Sequence, residues 1–129
     1  MWFLRKQPDD GRWEEMNSEV VALTREQNLD KALSAGKDLF AYSKKAYGKK
    51  HGNTVTSLNN LGIIHTLRKE FDEAEAYLLA ALQLSEKVNG RISKEVLIVN
   101  MNLARLYTAK ATWINDSIGV YPTNKTAVN

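Results

Sequence analysis

Apolar residues recur along the chain at the spacing of one helix face. Over residues 53–68, Leu58, Leu61, Ile64, His65 and Arg68 fall at helical intervals and predict one amphipathic helix. Arg68-Lys69-Glu70 then breaks the rhythm as a polar turn. Beyond it Ala74, Tyr77, Leu78, Ala81, Leu82 and Leu84 form the stripe of a second helix. Asp72 sits near its start, with Glu73 and Glu75 favourable in the first turn, and Asn89-Gly90 is a stop signal. The same pair precedes it: a helix over 12–27, a turn at Asn28-Leu29, and a helix over 30–47 ended by Gly48. A further helix opens over 94–110. No strand pattern interrupts residues 12–110, so the fold class is all-α.

The pairs are copies. Leu29-Asp30-Lys31-Ala32 resembles Phe71-Asp72-Glu73-Ala74 at an offset of 42 residues. At that offset Ser43, Lys45 and Gly48 return as Ser85, Lys87 and Gly90, Asn60-Leu61 as Asn102-Leu103, and His65 as Tyr107. Short turns make the two helices of a unit antiparallel neighbours. Small residues at Ala32, Gly62, Ala74 and Ala104 let backbones approach, and Leu29 and Phe71 can plug the joint. A single hairpin cannot bury its own stripe, so hairpins stack.

The third copy departs from the pattern. Trp113 falls where unit two has Phe71, but Asp116 replaces the small Ala74. Gly119 and Pro122 oppose a normal second helix. Val96, Val99, Leu103, Leu106 and Tyr107 then exceed what unit two can cover. Three arrangements meet this need. The tail folds back as an irregular cap through Trp113, Ile114, Ile118, Val120 and Tyr121; a second chain covers the face as a homo-oligomer; or further repeats follow. The organisation read from the sequence is a tail at 1–11 and a helical domain at 12–110. Its units are about 12–52, 53–93 and a partial 94–110, followed by a divergent tail or cap at 111–129.

Length and composition narrow the chemistry. At 129 residues the chain is one domain. It has no cysteine, which removes disulfide scaffolds, thiolate metal sites and cysteine nucleophiles. No apolar run is long enough to span a membrane, and the first residues lack a signal-peptide core, so a cytoplasmic location is expected. The net charge of +3 comes from interleaved charges. The basic run Lys44-Lys45-Ala-Tyr-Gly-Lys49-Lys50-His51 is expected to be a solvated helix end and loop. With the pI of about 9.1 it is the only support for an alternative function, a nucleic-acid-associated helical regulator.

Signals for catalysis are absent. There is no GxGxxG, GxxxxGK[ST] or GxSxG. His65 lies on an apolar face and reads as a packing residue, His51 as a solvated one. Glycine three residues before each excludes Glu-x-x-His ligation. The acidic residues Glu70, Asp72, Glu73 and Glu75 are explained by the helix N-terminus. Trp13 is expected to pack. Trp2 and Phe3 lie in the tail, and the glycosylation-type tripeptides at Asn115 and Asn124 carry little weight without a secretory signal. Neither an enzyme, a metal nor a cofactor is expected.

Leu58, Leu61-Gly62 and His65, followed by Phe71, Ala74, Leu78 and Ala81, resemble the tetratricopeptide repeat. Leu103-Ala104 and Tyr107 continue the motif. The 42-residue period, with Thr-Ser-Leu-Asn-Asn-Leu-Gly at 56–62, looks closest to the kinesin light chain-like subclass. In unit one Glu19-Val20 stands in place of Leu-Gly, consistent with an N-terminal cap. The resemblance covers about residues 12–110. It implies a right-handed α-α superhelix of about two and a half hairpins. It also implies a non-enzymatic scaffold that binds a peptide or protein segment in the concave groove of first helices. Asn60 and Asn102 match a position that bonds the ligand backbone in such repeats. Thr56, Asn59, Ile63 and Leu67 share their face, with Ile98, Met101, Arg105 and Ala109 in unit three and Glu14, Asn17, Val21 and Arg25 in unit one. An amide both donates and accepts, so it can pair with a peptide backbone whatever its sequence; bonding to a neighbouring helix is the other reading. A basic clamp for a chain-terminal carboxylate is not evident, since Arg105 is the sole groove base expected in units two and three.

Overall fold

The computed structural model describes residues 11–119, and these form five helices and no strand. They are α1 (Arg12–Arg25), α2 (Leu29–Tyr47), α3 (Gly52–Leu67), α4 (Phe71–Asn89) and α5 (Lys94–Ile118). The helices α1–α2 and α3–α4 are hairpins whose turns are copies of each other. Each turn passes through a left-handed residue, Gln27 at φ 61° and Lys69 at φ 63°. Each is closed by a backbone bond, from Asn28 N–H to Leu23 O and from Glu70 N–H to His65 O, both 2.9 Å. The left-handed backbone costs a non-glycine residue about 1–2 kcal/mol, offset by pairing the last helical carbonyls. Gly48 and Gly90, at φ 90° and 85°, carry the chain between hairpins.

The centre of the molecule is α3, buried along most of its length. Its Gly62 lies so near α4 that an added Cβ would stand 2.4 Å from Leu78 Cδ2. On its other side, Gly36 of α2 brings Leu61 Cδ2 within 3.0 Å of where its Cβ would be. Two apolar clusters follow. Val20, Ala32, Leu39 and Ile64 join Trp13 in one, and Leu58, Ala74, Leu78, Ala81, Leu103 and Leu106 lie in the other. Trp13 packs as expected, and its Nε1–H donates to Ser43 Oγ at 2.8 Å. Ser43 Oγ in turn lies 2.6 Å from Ser57 Oγ, so three helices meet at one polar knot. One repeat later Val55 and Val99 replace Trp13 and Ser57. The buried Ser85 hydroxyl, equivalent to Ser43, is left without a hydrogen-bond partner.

The third unit corrects two expectations. The helix does not end near residue 110 but runs to Ile118, so residues 111–118 are helical rather than an irregular cap. Ala109 and Ala111 stand where unit two has Leu67 and Lys69 at its turn, and alanine propagates a helix. Unit two is also more capable than expected. Val96, Val99, Leu103 and Leu106 are all buried against α3 and α4, because their spacing puts them on one face. Tyr107 alone of the five is exposed. Val120, Tyr121, Trp2, Phe3 and the Asn124 tripeptide lie outside the described residues.

Two predictions follow from this packing. Gly62→Ala gains about 1 kcal/mol of helix propensity but overpacks against the fully buried Leu78, at a cost of about 1–3 kcal/mol. A net loss in chemical denaturation is expected, and a more stable variant would contradict the close approach. Ser43→Ala orphans the Trp13 N–H and should cost about 1–3 kcal/mol, whereas Ser85→Ala removes an unpaired hydroxyl and should gain about 0.5–1 kcal/mol. The opposite signs of the two melting shifts are the diagnostic.

Candidate peptide-binding groove

The first helices form the inner layer. Helix α3 contacts both α1 and α5, while the backbones of α2 and α4 nowhere come within 8 Å of each other. Drawing first helices together and splaying second helices curves the array, with α1, α3 and α5 on the concave side. Of the residues expected on this face, Val21, Leu67, Ile98, Met101 and Arg105 are exposed. Thr56, Asn59, Asn60 and Ile63 are half-buried, and Asn102 is buried at 5% exposure.

The asparagines bond to each other across repeats. Asn60 Nδ2 donates to Asn17 Oδ1 at 2.7 Å, and Asn102 Nδ2 donates to Asn59 Oδ1 at 3.0 Å. The two pairs are the same contact one repeat apart. Arg105 Nη1 donates to Asn102 Oδ1 at 3.1 Å, so both ends of the Asn102 amide are engaged. Asn102 thus ties α3 to α5 and is held by Arg105. The amide atoms these bonds leave over are Asn60 Oδ1, Asn59 Nδ2 and Asn17 Nδ2.

Two clefts flank the Asn59–Asn102 pair. One, of about 250 Å³, lies between the N-terminal halves of α3 and α5 and is lined by Val55, Thr56, Asn59, Glu95, Ile98 and Val99, with Asn89 of α4. The other, of about 370 Å³, lies towards their C-terminal ends among Leu67, Phe71, Ala109, Thr112 and Trp113, with Lys69 and Asp116 at hand. The rings of Phe71 and Trp113 meet edge to face with centroids 6.0 Å apart. Trp113 and Asp116 were not among the groove positions, since the helix was expected to end before them. The signal that places them is alanine at 109 and 111, where unit two has Leu67 and Lys69, since alanine favours continuing the helix.

A polar latch closes the turn beside this second cleft. Glu70 accepts from Arg68 Nε at 2.7 Å and from His65 Nδ1–H at 2.9 Å, and Arg68 also pairs with Asp30 of α2. The His65 ring stacks on Tyr77 at 5.3 Å between centroids, which fits a packing role. Arg68, then His65, hold the Glu70 carboxyl below its ordinary value of 4.5. A hydrogen bond to Glu75 at 2.6 Å raises the Tyr107 hydroxyl above its ordinary value.

The basic run is the end of α2 and the loop after it, with Lys44, Lys45, Lys49 and Lys50 all exposed as expected, and only His51 departs from a solvated role. His51 is half-buried and its Nδ1 accepts from Asn53 N–H at 3.0 Å, capping α3, while its ring lies 4.6 Å from Tyr47. Lys44 Nζ sits 4.1 Å over the Phe40 ring. Among the described residues no group of acidic, histidine or cysteine side chains is placed to hold a metal ion, and no helix is long and apolar enough to cross a membrane.

The latch has a pH signature. Because the folded pKa of Glu70 is depressed, its contribution is present above 4.5 and is lost as pH falls through the folded value. Below pH 4.5 the melting temperature of the wild type should therefore fall more steeply than that of Glu70→Gln. Parallel acid limbs would show that the latch is not thermodynamically coupled to folding.

Comparison with known proteins agrees with the helical-repeat architecture. Over 58 residues, 45% of its length, the chain is 38% identical to a clustered mitochondria protein homologue of Meyerozyma guilliermondii, of which it spans only 5%. The family description "Tetratricopeptide repeat" matches residues 20–87, from within α1 almost to the end of α4. That match spans more than half of the chain and coincides with its two complete hairpins, so the chain belongs to the tetratricopeptide repeat family.

Proposed function

We infer that this chain mediates a protein–protein interaction as a non-enzymatic scaffold, as tetratricopeptide repeats generally do. We propose that this chain holds an extended segment of a partner protein along its inner face, between α3 and α5. The observation that carries this reading is the pair of clefts on either side of the Asn59–Asn102 bond. Thr56 and Leu67 mark the two clefts on α3, about 16 Å apart at the rise of a helix. An extended chain covers that distance in about five residues. The ligand implied is a peptide with two apolar side chains at about that spacing, one of them suited to the Phe71–Trp113 corner. Asn60 Oδ1 and Asn59 Nδ2 lie between the clefts and can pair with its backbone. Ile63, Met101 and Arg105 complete the floor and rim.

Selection of a displayed random-peptide library on the chain, followed by anisotropy titration, tests this. Ile98→Glu and Leu67→Glu each put a charge into one cleft and should weaken the selected peptides at least about tenfold, or 1.4 kcal/mol. Asn60→Ala should weaken them less. Gln83→Ala, on the exposed side of α4, should change nothing. Selected peptides that bind all four variants equally would overturn the proposal.

A further inference from the structure

Helix α5 has a third face that belongs neither to the core nor to the groove. Its core stripe is Val96, Val99, Leu103 and Leu106, and its groove positions are Ile98, Met101, Arg105 and Ala109. Between these sectors run Leu97, Asn100, Ala104, Tyr107, Ala111, Ile114 and Ile118, at alternating steps of three and four. All seven are exposed, with Leu97 at 59%, Tyr107 at 45%, Ile114 at 40% and Ile118 at 63%. No charged residue interrupts the stripe. In unit two the equivalent positions Val55, Leu58, Gly62 and His65 are buried, three of the four among residues packed with α4. The stripe is therefore where a second helix of unit three would lie. Residues 111–118 do not supply that helix, because they continue α5 in a straight line and lengthen the stripe instead.

We propose that a second copy of this chain covers the stripe, by antiparallel pairing of α5 with α5 about a two-fold axis near Arg105–Leu106. The stripe is a heptad seam, with Leu97, Ala104, Ala111 and Ile118 at one set of positions and Asn100, Tyr107 and Ile114 at the other. Pairing in this register sets Leu97 against Ile114 of the second copy, Asn100 against Ala111 and Tyr107 against Ala104. Each bulky side chain in the middle of the seam then meets an alanine, and every contact occurs twice, as a two-fold interface requires. Parallel pairing in register would instead stack Tyr107 on Tyr107 and alanine on alanine. The Tyr107 hydroxyl is tied to Glu75 at 2.6 Å, which holds the ring as a fixed knob for the alanine hole. The groove lies on another side of α5, so the pairing leaves it open and stands apart from the peptide-binding reading.

Sedimentation and light scattering of the full chain should give twice the monomer mass of 14.6 kDa at high concentration, dissociating on dilution. Ala104→Glu and Ala111→Glu each place a charge in the seam at an exposed helical position. Both should give monomers with unchanged helicity. The chain has no cysteine, so single cysteines report the register cleanly. Under mild oxidation a mixture of Leu97→Cys and Ile114→Cys chains should cross-link, and neither variant should cross-link alone. A chain that stays monomeric at high concentration would overturn the proposal, as when a further helical hairpin is the natural occupant. A dimer that survives both glutamates, or Leu97→Cys chains that cross-link to themselves, would overturn it equally.

Discussion

The arrangement of this molecule depends on one close approach, that of α3 to α4 at Gly62. The side chain of Leu78 occupies the volume a Cβ at residue 62 would need. That contact presses the two helices of unit two together, with the His65 ring stacked on Tyr77 of α4. With α4 tight on one side and Gly36 of α2 close on another, α3 becomes the central post on which both apolar clusters are built. The remaining side of α3 faces its fellow first helices, and the groove is the space this leaves.

Equivalent positions do different work in successive repeats. At the first interface the meeting point is polar, with an indole N–H and two serine hydroxyls bonded together. At the second it is apolar, with Val55 and Val99 around an unpaired Ser85 hydroxyl. On the inner layer the chemistry is constant instead, and the asparagine pairs recur with the same donor and acceptor roles.

Much of the fold was legible in the sequence. The 42-residue offset and the helical spacing of Leu58, Leu61, Ile64, Ala74 and Leu78 identify hairpins, because a buried face must recur with the helix period. What the pattern could not reveal was which exposed face each partner takes. Asn60 and Asn102 sit on the face expected, yet their amides bond to Asn17 and Asn59, residues about one repeat away in sequence and adjacent only once the helices pack. His51 reads as loop until Asn53 N–H is seen to point at it. Gly119 and Pro122 suggest an early end to the third unit's helix, but Ala109 and Ala111, standing where unit two has Leu67 and Lys69, favour its continuation to Ile118.

The asymmetry between the two layers makes the array mechanically one-sided. First helices are stapled to one another by amide bonds of 2.7 and 3.0 Å, whereas the second helices are not drawn together in this way. Flattening the array therefore stretches a discrete hydrogen bond at every repeat boundary. Tightening its curl leaves those bonds unstretched and presses the first helices, already in contact, against one another. The amide pairs are thus tethers that limit how far the concave face can open.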